Sequence, residues 1–396
     1  MMLNSIQKNC PICGSSEVEY FFSMLNMPVY CNLLWSEKQP AIDCPKGDIK
    51  LSFCPSCGFI ENQAFDETKL SYSQDYENSL HYSSRFQRYA DSLAQKLVQN
   101  HNLKHKNIIE IGCGKGDFLV SLCQLGDNQG IGFDPTYVPR TEHNNISNKI
   151  TFIQDFYSEK YQEYGADFIC CRHTLEHIPN PNDLLNSLRK AIGDRYDTKV
   201  FFEVPNSNYI LKNIAVWDII YEHCCYFIDN SLIQAFMNNN FLVTDVYETF
   251  EEQFLCLEAV PAKTTTTEES KIISDVKNLA DEVIKFNQLF NDLINQWQQK
   301  FDEFTNKNKK IVVWGAGSKG VTFLNLLKEY NDIEYVVDLN PRKQGMYIAG
   351  AGQKIVSPEF LKDYQPEIII IMNPIYEQEI KQLTDNLGLK PEFILV

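Results

Sequence analysis

The sequence lacks any apolar run long enough to cross a membrane, and residues 1–9 contain no apolar segment of the kind that a secretory signal needs. We therefore expect a cytoplasmic protein whose 13 cysteines are reduced. Runs of lysine or arginine are also missing, and the formal net charge is -16. Because an acidic surface repels phosphate backbones, the composition argues against nucleic acid as a partner.

The remaining composition is that of an ordinary globular protein, with 44% hydrophobic and 22% charged residues in a chain of 396. This length indicates two or three domains. Short β-rich segments alternate with helical ones over residues 76–261 and again from residue 310, which predicts an α/β fold with mostly parallel sheets. We expect a loop-rich, cysteine-rich module over 1–75, an α/β domain over 76–262, a linker and long helix over 263–308, and a smaller Rossmann-like domain over 309–396.

Two cysteine pairs in the first module share the pattern Cys-Pro-x-Cys-Gly. Each pair places two thiols on one side of a tight turn, and the glycine permits the left-handed conformation there. Two such turns predict one closed, structural zinc site, with a long loop inserted between the pairs. The predicted ligands are Cys10, Cys13, Cys54 and Cys57, whereas Cys31 and Cys44 are expected to be ordinary core or loop cysteines.

A glycine-rich turn follows the first strand of the larger α/β domain, and acidic residues end the next two strands. The turn lets the backbone approach a ligand at the carboxyl edge of the sheet. Asp134 can accept both hydroxyls of a ribose, and Asp155 can accept from an adenine amino group. This order of acids and glycines matches the S-adenosylmethionine sites of class I methyltransferases, and its residues are Glu110, Gly112, Gly114, Gly116, Asp134 and Asp155.

Two histidine-bearing segments follow the fourth and fifth strands, where chemistry usually takes place in an open α/β sheet. The first contains His177 in Leu-Glu-His-Ile-Pro, and the second reads Tyr221-Glu222-His223. Methylation of a carbon needs a base that removes a C–H proton near pH 7 and a group that holds the developing oxyanion. Since the second segment offers a phenol, a carboxylate and an imidazole, we interpret the histidines as functional rather than structural.

A long amphipathic segment follows the polar linker Lys-Thr-Thr-Thr-Thr-Glu-Glu-Ser. Its apolar residues are spaced by three and four, which predicts one helix over 272–304 with a single apolar seam. We favour a strut that packs across a neighbouring domain, and a dimerising coiled coil is the alternative. The seam consists of Val276, Leu279, Val283, Phe286, Phe290, Leu293 and Trp297.

A second glycine-rich turn opens the last domain and reads Gly-x-Gly-x-x-Gly between a strand and a helix. On its own, with Asp338 at the end of the next strand, this pattern predicts NAD binding. A helix N-terminus also favours the phosphates of a substrate, which Gly315, Gly317 and Lys319 could hold. A tight turn without any ligand remains the third interpretation.

In the order of its motifs the whole chain resembles the sugar C-methyltransferases that modify nucleotide-linked 4-keto-deoxysugars. The motifs are the two cysteine pairs, Tyr-Glu-Asn-Ser at 76–79, Glu-Ile-Gly-Cys-Gly-Lys-Gly-Asp-Phe-Leu at 110–119, Leu-Glu-His-Ile-Pro at 175–179, Tyr-Glu-His-Cys-Cys-Tyr-Phe at 221–227, and the terminal Trp-Gly-Ala-Gly-Ser-Lys-Gly with Val-Val-Asp-Leu-Asn-Pro-Arg-Lys-Gln-Gly. The 221–223 stretch is shorter than the Tyr-His-Glu-His run of the deoxysugar enzymes, so the chain looks like a sister branch.

The resemblance implies a role for each candidate residue. His223 would be the base that removes the proton next to a ketone, Glu222 and Tyr221 would assist it, and His177 and Tyr76 would line the pocket. The nucleotide-linked sugar would lie between the middle and C-terminal domains, and no metal or redox cofactor would take part in the chemistry.

The expected function is therefore methyl transfer from S-adenosylmethionine to a carbon of a nucleotide-linked keto-sugar or a related small molecule. An NAD-dependent sugar oxidoreductase that uses the second glycine turn is one alternative, and methylation of a non-sugar molecule is another. A zinc-bearing nucleic-acid methyltransferase is disfavoured by the net charge of -16. The expected partner is a small-molecule acceptor, with no nucleic acid and no membrane, and oligomerisation through the long helix is an alternative to the strut.

Overall fold

The computed structural model describes residues 9–70, 76–139, 148–263, 276–330 and 332–396. These residues form three sheets, one in each predicted α/β domain and one in the N-terminal module. Residues 264–275, which include most of the predicted linker and the first four residues of the predicted long helix, lie outside the described ranges. Among the described helices, none combines the length and the apolar composition that a membrane span requires.

The middle sheet contains all five strands expected from the sequence, paired in parallel. They are β4 (Asn107–Ile111), β5 (Gln129–Phe133), β6 (Ile150–Ile153), β7 (Phe168–Arg172) and β8 (Lys199–Pro205). Every residue of β7 is buried, as expected for a central parallel strand covered on both faces. The sequence analysis missed the two strands that extend the sheet, β10 (Phe241–Thr249) and the antiparallel β11 (Phe254–Pro261), which give the order β10-β11-β8-β7-β4-β5-β6.

Helices cover both faces of this sheet. The first, α2 (Ser84–Asn100), begins at Ser83, whose side chain accepts a hydrogen bond from the N–H of Phe86. This cap fixes the start of the helix at Ser84. The apolar face of α2 is buried at spacings of three and four, which anchors the helix on the sheet. The others are α3 (Asp117–Gly126), α4 (Pro181–Ile192), α5 (Ser207–Asn213) and α6 (Asp229–Asn238).

The N-terminal module is more regular than the sequence indicated. It contains β1 (Glu19–Pro28), α1 (Lys38–Ile42), β2 (Lys46–Phe53) and β3 (Ile60–Asn62). Bulges between Tyr20 and Phe22 and between Met24 and Met27 interrupt the period of two in β1, which explains why the strand was not recognised. A fourth strand, β9 (Cys225–Tyr226), comes from the middle of the chain and pairs with β3. The module is therefore joined to the larger domain by a shared sheet.

The C-terminal domain has a wholly parallel sheet in the order β14-β13-β12-β15-β16. Its strands are β12 (Ile311–Trp314), β13 (Tyr335–Val337), β14 (Lys354–Val356), β15 (Ile368–Ile371) and β16 (Glu392–Leu395). The accompanying helices are α8 (Ser318–Leu326), α9 (Leu361–Tyr364) and α10 (Glu377–Asn386). The predicted Rossmann-like alternation is therefore present in this domain.

The long helix α7 (Val276–Asn306) packs along two neighbours of the same chain. Near its start, the ring of Phe286 meets Phe22 of β1 edge-on at 5.0 Å between centroids. Nearer its end, Trp297 meets Phe323 of α8 at 4.9 Å. Burying such a side chain contributes about 1.5–3 kcal/mol. The contacts of the seam within the chain agree with a strut, whereas pairing with a second copy stays a prediction.

Candidate functional site

A cavity of about 850 Å³ lies where the carboxyl ends of the middle and C-terminal parallel sheets face each other. The N-terminal module contributes Asn32 and Phe65 to its wall. Most of the residues predicted from the sequence line this space, namely Tyr76, Glu110, Gly112, Gly114, Asp134, Asp155, His177, His223, Gly315, Gly317 and Lys319. Gly116, Tyr221 and Glu222 are not among its lining residues.

The first glycine turn is held tightly against the sheet. Gly112 has a φ of +69°, and a Cβ there would lie 2.0 Å from Oγ1 of Thr174, so only glycine fits. Asp134 braces the turn, because its carboxylate accepts from the N–H of Gly114 at 2.8 Å and from the N–H of Thr136 at 2.8 Å. The hydroxyl of Thr136 also donates to this carboxylate at 2.6 Å, so three of its about four acceptor positions are taken. The predicted contact with both ribose hydroxyls would therefore require Thr136 to give up one of its hydrogen bonds. Gly116, with a φ of +84°, starts α3.

The other two acids of the cofactor pattern differ in environment. Glu110 is buried under the turn, where burial raises the pKa of its carboxyl to about 8, and its Oε2 has no hydrogen-bond partner among the described residues. Asp155 lies at the surface end of the cavity and accepts from Tyr161 at 2.6 Å and from Lys160. The hydrogen bond from Lys160 is the main reason that the pKa of Asp155 falls to about 2. Asp155 is therefore ionised. An adenine amino group bound to it would have to share the carboxylate with Tyr161 and Lys160.

The structure brings the two predicted histidines together. The rings of His177 and His223 lie 4.9 Å apart between centroids and nearly perpendicular. His177 donates from Nδ1 to the backbone carbonyl oxygen of Glu222 at 3.0 Å, because a carbonyl can only accept. Burial lowers the pKa of His177 to about 4 and holds that of His223 well below 6.5. Both rings are therefore neutral at pH 7, which is the state a proton acceptor needs.

Glu222 does not line the cavity and contacts the site through Tyr76. Its carboxylate is fully buried and accepts from the N–H of Cys31 at 2.9 Å and from the side chain of Tyr76. Burial raises the pKa of Glu222 to about 7. Tyr76 lines the cavity, as predicted, so the carboxylate orients a residue that can reach a ligand.

Tyr221 does not reach the cavity. Its hydroxyl accepts from the N–H of Asp66 at 2.9 Å, and its ring packs against Phe65 of the N-terminal module. Because β9 pairs with β3 of that module, the side chain of Tyr221 points toward the module and away from the cavity. The sequence suggested a phenol beside the base, and the structure instead gives Tyr221 a place in the core between the two domains.

A buried charge network that the sequence analysis missed lies beside the histidines. Glu203, at the end of β8, accepts from Arg172 at 2.8 Å and from Tyr89 at 2.5 Å, and it pairs with His173 at 2.7 Å. Burial opposes ionisation of Glu203, but Arg172 and His173 outweigh it and hold its pKa below the usual range. The signal that could have revealed this group is a glutamate inside the otherwise apolar strand Phe-Phe-Glu-Val-Pro.

The second glycine turn repeats the arrangement of the first. Asp338 accepts from the N–H of Ala316 at 2.9 Å and from that of Asn340 at 2.8 Å, as Asp134 does at its own turn. A Cβ at Gly320 would lie 2.0 Å from the carbonyl oxygen of Gly315, so the turn and α8 depend on this glycine. Lys319 enters the cavity beside the turn and pairs with Asp218. A phosphate bound at this turn would therefore compete with the carboxylate of Asp218 for the ammonium group of Lys319.

The four predicted zinc ligands converge outside the cavity. Their sulfur atoms all lie within 4.8 Å of one another, with 3.6 Å between Cys10 and Cys57 and 3.5 Å between Cys13 and Cys54. A tetrahedral site with Zn–S bonds of ~2.3 Å has sulfur atoms ~3.8 Å apart, so the donor set and spacing fit a closed zinc site. Cys31 and Cys44 are buried in the core, as expected.

Two protein-family models match separate parts of the chain. A family model described as "Methyltransferase domain" matches residues 82–246. The chain carries a methyltransferase domain. A second family model, described as "C-methyltransferase C-terminal domain", matches residues 261–394 and so includes the long helix α7.

Two curated relatives match about a quarter to a third of the chain. The ubiquinone biosynthesis O-methyltransferases of Proteus mirabilis (strain HI4320) and Hydrogenovibrio crunogenus (strain DSM 25203 / XCL-2) are each 29% identical to this chain. The matches cover 26% and 31% of the chain and 43% and 52% of the relatives. The chain thus spans about half the length of the curated relatives it matches.

Solved structures with a similar fold match at low identity. Magnesium protoporphyrin IX methyltransferase from Synechocystis PCC 6803 is 18% identical with a TM-score of 0.36, and the match covers 45% of this chain and 84% of that one. The 1,6-didemethyltoxoflavin-N1-methyltransferase of Burkholderia thailandensis is 14% identical with a TM-score of 0.35, covering 46% of this chain and 82% of that one.

Proposed function

We propose that the protein is an S-adenosylmethionine-dependent C-methyltransferase that acts on a nucleotide-linked keto-sugar or a related small molecule. The observation that carries the proposal is the shared cavity, whose wall combines the first glycine turn, the two histidines and the second glycine turn. The match of residues 261–394 to a C-methyltransferase C-terminal domain supports carbon as the acceptor atom.

The cofactor end is formed by the first glycine turn and its acids. Asp134 would bind ribose hydroxyls, and Gly112 and Gly114, which line the cavity, would let the backbone of the turn approach the ligand closely. When bound, S-adenosylmethionine supplies an electrophilic methyl group on a sulfonium centre. The cavity continues from this turn to the histidines, so an acceptor held between them would lie beside that methyl group.

His223 is the proposed base. A neutral imidazole accepts the proton from the carbon next to the ketone, and the electron pair left behind moves toward the keto oxygen, which makes that carbon a nucleophile. The low pKa of His223 keeps its ring neutral for this task. His177 packs edge-on against His223 and is itself oriented by the carbonyl of Glu222, so it limits the positions that the base can adopt.

The second glycine turn is the proposed site for the acceptor's nucleotide diphosphate. Its backbone N–H groups begin α8, and Lys319 adds a cation at the same edge. The carboxylate of Asp338 resembles that of Asp134 in its contacts and is suited to ribose hydroxyls. Because the methyl donor already has its own turn, a second nucleotide at this place is assigned to the acceptor rather than to NAD.

The test is a product analysis with a panel of nucleotide-linked 4-keto-sugars, matched keto-sugars without the nucleotide, and phenols. We expect a new C–C bond next to the ketone in the nucleotide-linked compounds, identified by mass spectrometry and NMR. Without S-adenosylmethionine, the protein should still exchange the proton at that carbon for solvent deuterium. Methylation of phenols alone, with no exchange, would contradict the proposal.

O-methylation of a phenol is the second candidate, because the curated relatives of the methyltransferase domain are O-methyltransferases. The matches to those relatives cover only 26% and 31% of this chain, whereas the model of a C-methyltransferase C-terminal domain matches residues 261–394. The same panel distinguishes the two candidates, since an O-methylated phenol requires no deuterium exchange at carbon.

We also propose that Cys10, Cys13, Cys54 and Cys57 hold one structural zinc ion. The donor set supports this assignment, because four thiolates leave no coordination position open for a substrate. The ion would join the turn at the start of the N-terminal module to the turn between β2 and β3, and it would take no part in methyl transfer.

A further inference from the structure

Three cavity residues outside the cysteine cluster also form a possible set of metal ligands. Glu176, His177 and His223 each offer one ligand atom, and these atoms lie within 4.8 Å of one another. Two imidazoles and one carboxylate are a ligand set typical of zinc and other divalent transition-metal ions, and three protein ligands leave positions open toward the cavity. The sequence reading assigned no role to Glu176.

The surroundings of these residues favour coordination. His177 donates from Nδ1 to the carbonyl of Glu222 at 3.0 Å, so in the neutral ring the lone pair is on Nε2. A backbone carbonyl bonded to the second nitrogen is the usual support of a metal-binding histidine. The backbone N–H of Cys224 donates to the carbonyl oxygen of Glu176 at 2.9 Å, which fixes the two ligand segments relative to each other.

Two polar atoms of the group lack hydrogen-bond partners within the described ranges. They are Oε2 of Glu176, whose side chain is 2% exposed, and Nδ1 of His223. A buried polar atom without a partner costs free energy because it has lost its water. The other carboxylate oxygen of Glu176, Oε1, lies 3.8 Å from Nδ1 of His173, whereas a cation in the cavity would satisfy Oε2.

We propose that Glu176, His177 and His223 form a second metal site, which takes one divalent transition-metal ion such as Zn²⁺ and, when occupied, blocks methyl transfer. The inhibitory part rests on the proposed function, in which His223 is the base. A metal ion and a proton compete for the same lone pair of an imidazole, so a coordinated His223 cannot accept a proton from the acceptor carbon. The site would make the enzyme sensitive to free zinc.

The decisive experiment is a calorimetric titration with Zn²⁺ of protein that already holds one zinc ion after dialysis against a weak chelator. We expect one further ion to bind per chain. Glu176→Gln and His177→Gln should each weaken that second binding at least tenfold, whereas His105→Gln, a change at a histidine 78% exposed on the surface, should not. Circular dichroism confirms that each variant is folded, and retention of the first zinc shows that the cysteine site is intact.

A second measurement addresses inhibition. Methyl transfer by the wild-type protein should fall as the second zinc binds, and it should recover when the weak chelator removes that ion. No second ion in the wild type, or equal second binding in Glu176→Gln, would overturn the site. Binding of the second ion with unchanged or increased turnover would overturn the inhibition. The titration needs no turnover, so a failure of the keto-sugar assay would count against the proposed function and leave this test of the site intact.

Discussion

The backbone N–H of Cys224 donates to the carbonyl oxygen of Glu176 at 2.9 Å, although the two residues lie 48 positions apart. This bond joins the turn after β7 to the segment before β9. His177 follows Glu176 directly and His223 precedes Cys224, so the bond sets the distance between the two rings at 4.9 Å. The candidate site is therefore positioned by the backbone, and single side-chain changes can test each histidine without moving the other.

The first prediction concerns the base. His223→Ala should lower turnover by roughly 10²-fold or more, which is the usual contribution of a general base. Binding of S-adenosylmethionine, measured by calorimetry, should stay unchanged because the cofactor turn is on other strands. Deuterium exchange at the acceptor carbon should also disappear. If turnover survives in His223→Ala and is lost in His177→Ala, then His177 is the base.

The second prediction is the pH dependence that follows from burial of these rings. Because the pKa of His223 is held below 6.5, the base is neutral at pH 7, and kcat/KM should stay level down to pH 6.5 and decline only below it.

Between pH 6.5 and about 4 the unfolded chain binds a proton at His177 that the folded protein does not, so stability should fall as the pH drops through this range. An acid limb centred above pH 6.5 would contradict the assignment.

The third prediction tests the cofactor turn. Asp134→Ala should weaken S-adenosylmethionine binding by roughly 1–3 kcal/mol, because the carboxylate makes charge-assisted bonds and braces the N–H of Gly114. Asp127→Ala provides a control, since this aspartate is at the exposed end of α3. Unchanged calorimetric affinity in Asp134→Ala would remove the residue from the site.

The fourth prediction concerns the cysteine cluster. Elemental analysis of the dialysed protein should find one zinc ion per chain, and Cys13→Ser should lose it. Stability should then fall by several kcal/mol before turnover per folded molecule changes, because the cluster lies outside the cavity. Cys44→Ala, in the core of the same module, should keep the metal. Reduced wild-type protein without zinc would exclude the site.

Much of this arrangement could be predicted from local sequence. The five parallel strands, both glycine turns and the paired cysteines depend on short-range patterns, and the structure contains each of them. The apolar seam of α7 could also be predicted, because the spacing of its residues follows the helical period. Each strand, each glycine turn and each cysteine pair is encoded by neighbouring residues, and the seam by a periodic pattern within one segment.

The remainder depends on contacts between distant segments. No local pattern indicates that Cys225 and Tyr226 form a strand of the N-terminal sheet, and this pairing is what turns Tyr221 away from the cavity. Likewise, the network around Glu203 draws on strands and helices far apart in sequence. A lone glutamate in an apolar strand hints at a buried partner but does not identify it.

The fifth prediction follows from the ion pair between Lys319 and Asp218. If the second glycine turn holds the acceptor's phosphates, they must compete with the carboxylate of Asp218 for the ammonium of Lys319. Lys319→Ala should therefore raise the KM for the acceptor while leaving S-adenosylmethionine affinity unchanged. Asp218→Asn should have the opposite effect and lower the KM, because it removes the competing charge while keeping a similar shape. The matched pair separates phosphate binding from a structural role of the ion pair, since a structural role predicts that both variants weaken binding.

The NAD alternative is checked in parallel by titration with NAD, for which Asp338→Ala is the diagnostic variant. Saturable NAD binding at micromolar concentration that Asp338→Ala removes would assign the turn to a dinucleotide and favour the oxidoreductase.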